Sequence, residues 1–252
     1  MSSKNLFDLT GKVALITGGG TGIGRAIALQ LAGSGVHTAL NYCRSEADAT
    51  KTRDECAAFG VQAITCQADV ADDSQVRKMV GAVVDQLGRL DILVNNAGCT
   101  FFVEMANLEG LQEEHWNRIM DVNVKGLFQC SRAAYPELKK QQGCIVNITS
   151  VAGLTGQGSS IAYAASKAAA ISVTKSLARA MAPEVRVNSI APGIVQTRWV
   201  EGHQEHVDRL SRGTPLGRIA LPEDIAEVAH GLISQASFVT GQTLLVDGGM
   251  IP

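Results

Sequence analysis

Short apolar, β-branched runs alternate along the chain with longer stretches whose apolar residues recur at helical spacing. Runs at 12–16, 37–42, 62–66, 91–94, 144–148, 185–190 and 243–246 read as seven strands. Helices are expected over about 22–34, 46–59, 73–87, 113–141, 161–182 and 222–234. Gly60 is a stop signal for the second helix, Pro183 ends the fifth, and a kink is expected near Pro136 in the long one. The strands are apolar without alternation, the mark of a parallel sheet covered on both faces. Right-handed crossovers then make a doubly wound α/β sheet the default topology. No Pro/Ser-rich linker and no shift of composition divides the chain, so residues 1–252 are expected to form a single domain. The stretch 196–221 lacks an obvious core element, and a loop of that length is usually functional.

Composition narrows the class. The chain has 252 residues, 22 Lys plus Arg against 24 Asp plus Glu, and a formal charge of −2. That balance speaks against a nucleic-acid surface, which needs clustered cations. No apolar run reaches the roughly 20 residues that span a bilayer. The first ten residues have no apolar signal core, so a cytoplasmic protein is expected. Six cysteines, at 43, 56, 66, 99, 130 and 144, form no zinc-ligand spacing and read as buried free thiols. Glycine is in excess, at 26 residues, against a usual share of about 7%.

Part of that excess lies in one place. After the first strand comes Thr17-Gly18-Gly19-Gly20-Thr21-Gly22-Ile23-Gly24, opening directly into a helix. Glycines let a backbone turn sharply and approach a pyrophosphate, and the helix N-terminus offers free N–H groups and a positive dipole end. Further on come Asn95-Asn96-Ala97-Gly98, Asn123, Ser150, Tyr163 with Lys167 four residues later, Pro192-Gly193, and Val246-Asp247-Gly248-Gly249. In this order and over nearly the whole length, the chain resembles the short-chain dehydrogenase/reductase family. The resemblance implies a Rossmann-like seven-stranded sheet and hydride transfer between a nicotinamide cofactor and a carbonyl or secondary alcohol.

Tyr163 and Lys167 share one helix face. A free tyrosine, with a pKa near 10, is a poor acid–base at neutral pH, and a neighbouring ammonium is expected to lower that value. Ser150 follows the fifth strand at its carboxyl end, where its hydroxyl can polarise a carbonyl oxygen. Asn123 falls inside a helix that has little use for Asn. The resemblance assigns it a water that links Lys167 to solvent, makes Tyr163 the proton donor, and gives Lys167 a second bond to the nicotinamide ribose.

The cofactor-binding set is expected to be Thr17, Gly18, Gly20, Thr21, Gly22, Ile23 and Gly24 in the loop, Tyr42, Arg44 and Ser45 after strand two, and Asp69 and Val70 after strand three. Asn96, Ala97 and Gly98 follow strand four. Pro192, Gly193, Ile194, Val195 and Thr197 follow strand six, joined by Tyr163 and Lys167. No acid ends strand two, and Arg44 with Ser45 can meet a 2′-phosphate, so NADP(H) is favoured over NAD(H). Thr21 stands where many NADP-preferring relatives carry a basic residue. The segment 196–221 is expected to be a lid, with Trp199, Val200, Leu210 and Leu216 as its apolar side. Cys99, Phe101, Phe102, Leu154 and Gln157 are candidate walls of an apolar pocket for a small carbonyl or alcohol.

His203 and His206, with Glu201, Glu205 and Asp208, read as a charged lid helix and not as a metal site. Ala164, Ala165, Ala168, Ala169 and Ala170 permit close helix packing, and the resemblance implies a homotetramer. Two narrower activities stay open: 3-oxoacyl-(acyl carrier protein) reduction, for which Lys125, Arg132 and Arg179 are diffuse docking cations, and sugar or small-alcohol oxidation. A non-catalytic dinucleotide-binding protein is the remote alternative.

Overall fold

The computed structural model describes residues 8–200 and 211–251, the side chain of Trp199 excepted. Seven strands form one all-parallel sheet: β1 (Val13–Ile16), β2 (His37–Tyr42), β3 (Ala63–Gln67), β4 (Ile92–Asn95), β5 (Cys144–Ile148), β6 (Arg186–Pro192) and β7 (Thr243–Val246). Their order is β3-β2-β1-β4-β5-β6-β7. The winding reverses between β1 and β4, where Ile16 lies opposite Val94. A crevice therefore opens outside the carboxyl ends of these two strands.

Alternation of side chains builds two cores from each strand. Val13 and Leu15 of β1 pack into one core while Ala14 and Ile16 pack into the other. Leu93 of β4 and Ile145 of β5 join the first; Ile92, Val94 and Val146 join the second. The first core is closed by α3 (Asp73–Leu87), α5 (Leu127–Gln141) and α7 (Ile161–Met181), through residues such as Met79, Leu138 and Leu177. The second is closed by α1 (Gly22–Gly33) and α8 (Pro222–Ser234), through Ile27, Leu31, Ile225 and Leu232. Helix α2 (Glu46–Ala57) adds the buried Cys56 to that second core.

The expected elements are all present, with ends moved by one or two residues. The long helix differs in kind. Helix α4 (Glu113–Met120) runs into a π-helical segment, Asp121–Gly126, before α5 begins. The irregularity expected at Pro136 is therefore displaced: Pro136 sits inside α5, and the wider turn falls on Asn123. Single π turns inside α-helices commonly mark functional sites, because the wider turn re-aims one side chain. Three short pieces were not foreseen: 3-10 turns at Leu108–Gly110 and Arg198–Val200, and α6 (Ala152–Thr155), which ends on the left-handed Gly156. Among the described residues, no helix is long and apolar enough to cross a membrane. All six cysteines are free; Cys43 is exposed and Cys99 half-buried, so the expectation of buried thiols holds for the other four.

Candidate active site

The glycine loop is stitched across the reversal in the sheet. Thr17 is buried, and its Oγ1 accepts the N–H groups of Asn96 at 2.9 Å and Ala97 at 3.0 Å. Asn96 Nδ2 returns bonds to the carbonyls of Thr17 and Gly18, both at 3.0 Å. Asn41 Oδ1 accepts Gly18 N–H at 3.3 Å, and its Nδ2 donates to Ala68 O at 3.0 Å. The ends of β1, β2, β3 and β4 are thus tied to one loop. Gly18 and Gly22 have φ of +61° and +52°, a left-handed conformation that favours glycine.

The first bond of α1 runs from Arg25 N to Thr21 O at 3.1 Å, and Thr21 makes no side-chain cap. The N–H groups at the start of α1 are therefore not used by the helix, and they carry its positive end. A cradle of this kind fits a pyrophosphate.

The second half of the site hangs from β5 and α7. Lys167 is buried, and its Nζ donates to the carbonyl of Ile148 at 2.9 Å. The same Nζ lies 5.6 Å from the centre of the Tyr163 ring. Ser150 Oγ accepts the N–H of Ala152 at 3.1 Å, which holds the hydroxyl beside the start of α6. A Cβ on Gly153 would lie 2.6 Å from Ala168 N, so only glycine lets α6 press this closely on α7.

Asn123 is buried behind these groups. Its Oδ1 accepts Cys99 N–H at 2.8 Å, and its Nδ2 donates to Cys99 O at 2.9 Å and Ser166 Oγ at 3.0 Å. Ser166 Oγ donates in turn to Tyr163 O at 2.7 Å. The π turn thus pins the segment after β4 to the Tyr163 helix.

Burial dominates the electrostatics. It pushes the Tyr163 hydroxyl up to about 12, with a hydrogen bond from Ser150 working in the opposite direction. Against the expectation from spacing, Lys167 does not bring this value down: its Nζ lies against the ring and bonds the Ile148 carbonyl, and desolvation prevails. Burial also pulls Lys167 down to about 8 from an ordinary 10.5. Between those two values the unfolded chain holds a proton that the folded chain has released. The penalty of burying the ammonium is complete below about 8 and is relieved as pH rises toward 10.5. Chemical denaturation of the cofactor-free protein should show stability rising over that interval, and Lys167→Met should lose that part of the rise. Superimposable pH profiles for the two proteins would contradict the burial argument.

These groups line one cleft of about 670 Å³. Of the expected cofactor residues it collects Gly18, Gly20, Thr21, Gly22 and Ile23 from the loop and Tyr42, Arg44, Ser45, Asp69 and Val70 from the next two strand ends. It also collects Asn96, Ala97, Gly98, Ser150, Tyr163, Lys167 and Pro192 to Val195 with Thr197. Thr17, Gly24 and Asn123 are not on its wall; they act from behind, Gly24 by packing against the Gly18 carbonyl. Of the expected pocket walls, Cys99 and Phe101 line the cleft, joined by Val200 from the expected lid. Phe102, Leu154 and Gln157, and Leu216 of the lid, do not line it, and all are exposed. Leu210 and the acidic and histidine residues of 201–208 lie outside the described residues.

Two arginines on the wall were missed. Arg118 from α4 pairs with Asp69 at 2.9 Å. Burial opposes the charge on Asp69, but the Ala71 N–H and Arg118 hold its carboxyl below the usual range. Arg198 reaches Asp48 Oδ2 at 2.9 Å and Thr21 Oγ1 at 3.0 Å. Neither arginine belongs to a motif, so spacing alone gave no signal for them.

Comparison with known proteins agrees with this geometry. A family model described as "Enoyl-(Acyl carrier protein) reductase" matches residues 18–251. The 3-oxoacyl-(acyl-carrier-protein) reductase FabG of Staphylococcus aureus is 40% identical over 243 residues, covering 95% of this chain and 98% of the relative. A short-chain type dehydrogenase/reductase from Mycobacterium marinum superposes with a TM-score of 0.90 at 35% identity, covering 98% of each chain. An NAD+-bound xylitol dehydrogenase superposes with a TM-score of 0.87 at 30% identity, covering 96% of this chain and 99% of that one. A dinucleotide cradle at the reversal of a parallel sheet, a Tyr/Lys pair beside it, and likeness over nearly the full length lead to one assignment: the chain belongs to the short-chain dehydrogenase/reductase family, as an oxidoreductase that uses a nicotinamide dinucleotide on alcohol or carbonyl groups.

Proposed function

We propose that the protein is an NADPH-dependent carbonyl reductase in which Tyr163 delivers the proton, acting on a 3-oxoacyl group. The observation that carries the reading is the half-buried Tyr163, hydrogen-bonded by Ser150, with the Lys167 ammonium beneath its ring in the cleft. The cofactor, when bound, supplies the hydride.

The remaining work belongs to the chain. The glycine loop and the start of α1 hold the pyrophosphate, and Arg44 and Ser45 receive the adenosine 2′-phosphate. Ile194 to Thr197 border the nicotinamide amide. Ser150 donates a hydrogen bond to the substrate carbonyl oxygen and polarises it. Tyr163, a protonated phenol at neutral pH, gives that oxygen its proton as the alcohol forms. Lys167 stabilises the phenolate left behind and bonds the nicotinamide ribose. Asn123 is a positioning residue, through Cys99 and Ser166.

The name of the Staphylococcus aureus relative favours a 3-oxoacyl substrate, and Phe101 with Val200 gives the cleft an apolar wall. The docking cations considered for a carrier protein are partly spent: Lys125 pairs with Asp121 at 2.7 Å and Arg132 with Asp73 at 2.6 Å. A second reading, oxidation of a polyol with NAD+, draws on the xylitol dehydrogenase likeness and on the uncharged Thr21 in the loop.

An assay pairing an acetoacetyl thioester and a polyol panel with each cofactor separates the two. We expect thioester reduction with NADPH at least about tenfold more efficient than with NADH, the selectivity falling in Arg44→Gln. Polyol oxidation with NAD+ as the dominant activity would overturn the reading. We further place residues 1–252 in one catalytic domain. We expect a homotetramer through α5 and α7, where Phe128, Ala165 and Ala168 are exposed. A cytoplasmic setting suits six free thiols.

A further inference from the structure

Arg198 stands where the loop after β6 meets the phosphate cradle. Its backbone is well fixed. Gly193 N–H bonds Val246 O at 3.0 Å, Gln196 N–H bonds Ala220 O at 2.8 Å, and Val200 N–H bonds Thr197 O at 3.0 Å. A Cβ on Gly22 would lie 3.3 Å from Thr197 Cγ2, so this loop rests directly on the glycine turn. From there the guanidinium spans to α2, giving Nη1 to Asp48 and Nη2 to Thr21.

The surroundings define what such a cation can do. Arg44 and Ser45 belong both to the cleft and to the shallow depression beside it that contains Glu46 and Asp48. Two carboxylates therefore border the place where a 2′-phosphate would sit. An unpaired carboxylate there repels a doubly charged phosphate. A guanidinium has five N–H donors in a planar fork, and one to Asp48 and one to Thr21 leave others for a further acceptor.

We infer that Arg198 is a specificity residue for the adenosine 2′-phosphate: it neutralises Asp48 and adds a second cation opposite Arg44. The inference rests on the NADP reading. An adenosine without that phosphate gains nothing from the arrangement, so the effect is selective for NADPH.

The test is equilibrium binding, without turnover. NADPH and NADH are titrated calorimetrically into wild type, Arg198→Gln, Arg198→Lys, Arg44→Gln and the double variant Asp48→Asn/Arg198→Gln. Arg198→Gln should weaken NADPH about tenfold or more, as expected for a lost charge-assisted contact, and leave NADH within about twofold. The lysine variant, which keeps the charge and loses the fork, should fall between. Removing Asp48 in the double variant should recover part of the NADPH loss. Arg198 is about half exposed, at 54% for its side chain, so its replacement should leave the thermal midpoint nearly unchanged.

Unchanged NADPH affinity in Arg198→Gln overturns the inference. Equal weakening of both cofactors also overturns it, by moving the contact to the pyrophosphate. Loss in Arg44→Gln without loss in Arg198→Gln sinks this inference alone. Tighter binding of NADH than of NADPH by wild type sinks the NADP reading with it.

Discussion

Tyr163→Phe is expected to lower kcat for carbonyl reduction by roughly three orders of magnitude, within the range general acid catalysis supplies. The substitution removes one oxygen and leaves the ring over Lys167. The bonds that place α7 here run through the Tyr163 backbone: its carbonyl accepts Ser166 Oγ, and its N–H bonds Ser160 Oγ at 3.3 Å. Neither depends on the hydroxyl. Cofactor affinity should stay within about twofold, because the cradle, Lys167 and the 192–197 segment are untouched. A calorimetric titration, a thermal melt and steady-state kinetics on one preparation make the check. Turnover within tenfold of wild type would remove Tyr163 as the proton donor.

Gly24→Ala should be the most damaging change available to the cradle. Its methyl carbon would run into Gly18 O and approach Asn96 Nδ2 to 2.5 Å. Those two atoms already bond each other at 3.0 Å, so neither yields cheaply. Overpacking of this kind costs on the order of 1–3 kcal/mol. Relief requires moving the start of α1 away from the loop, which misplaces the N–H groups that meet the pyrophosphate. We expect affinity for both cofactors to fall by a factor of about 100 or more, since each kcal/mol of misfit there is felt directly in binding.

Gly81→Ala is the control. Gly81 lies exposed inside α3 with nothing within 4 Å of the new methyl. That change should stabilise the protein by about 0.5–1 kcal/mol through helix propensity. Unaltered cofactor binding in Gly24→Ala would refute the packing argument.

The sheet and its order of elements were legible because periodicity reports burial, and a parallel strand is buried on both sides. The cradle and the Tyr/Lys pair were legible because their chemistry depends on neighbours close in sequence. What escaped depends on distant pairs. The π turn at Asn123 is set by Cys99 and Ser166, twenty-four and forty-three residues away. The ion pair of Arg118 with Asp69 spans forty-nine residues, and that of Arg198 with Asp48 spans one hundred and fifty. The direction of the Tyr163 shift also escaped. Spacing puts an amine one turn away, but only coordinates reveal that it faces the ring and a carbonyl, leaving desolvation in charge.

In an all-parallel sheet every strand delivers its last residue to the same rim. The cradle hangs from β1, the tyrosine's partners from β5, and Cys99 and Phe101 from the connection after β4. The strand interiors of the two cores, such as Leu15, Leu93 and Ile145, lie below that rim and off the cleft wall. Evolution can thus retune which molecule is turned over by editing connections alone, leaving the strand interiors intact. Kindred enzymes for acyl chains and for polyols on one scaffold are the expected outcome of such a division of labour.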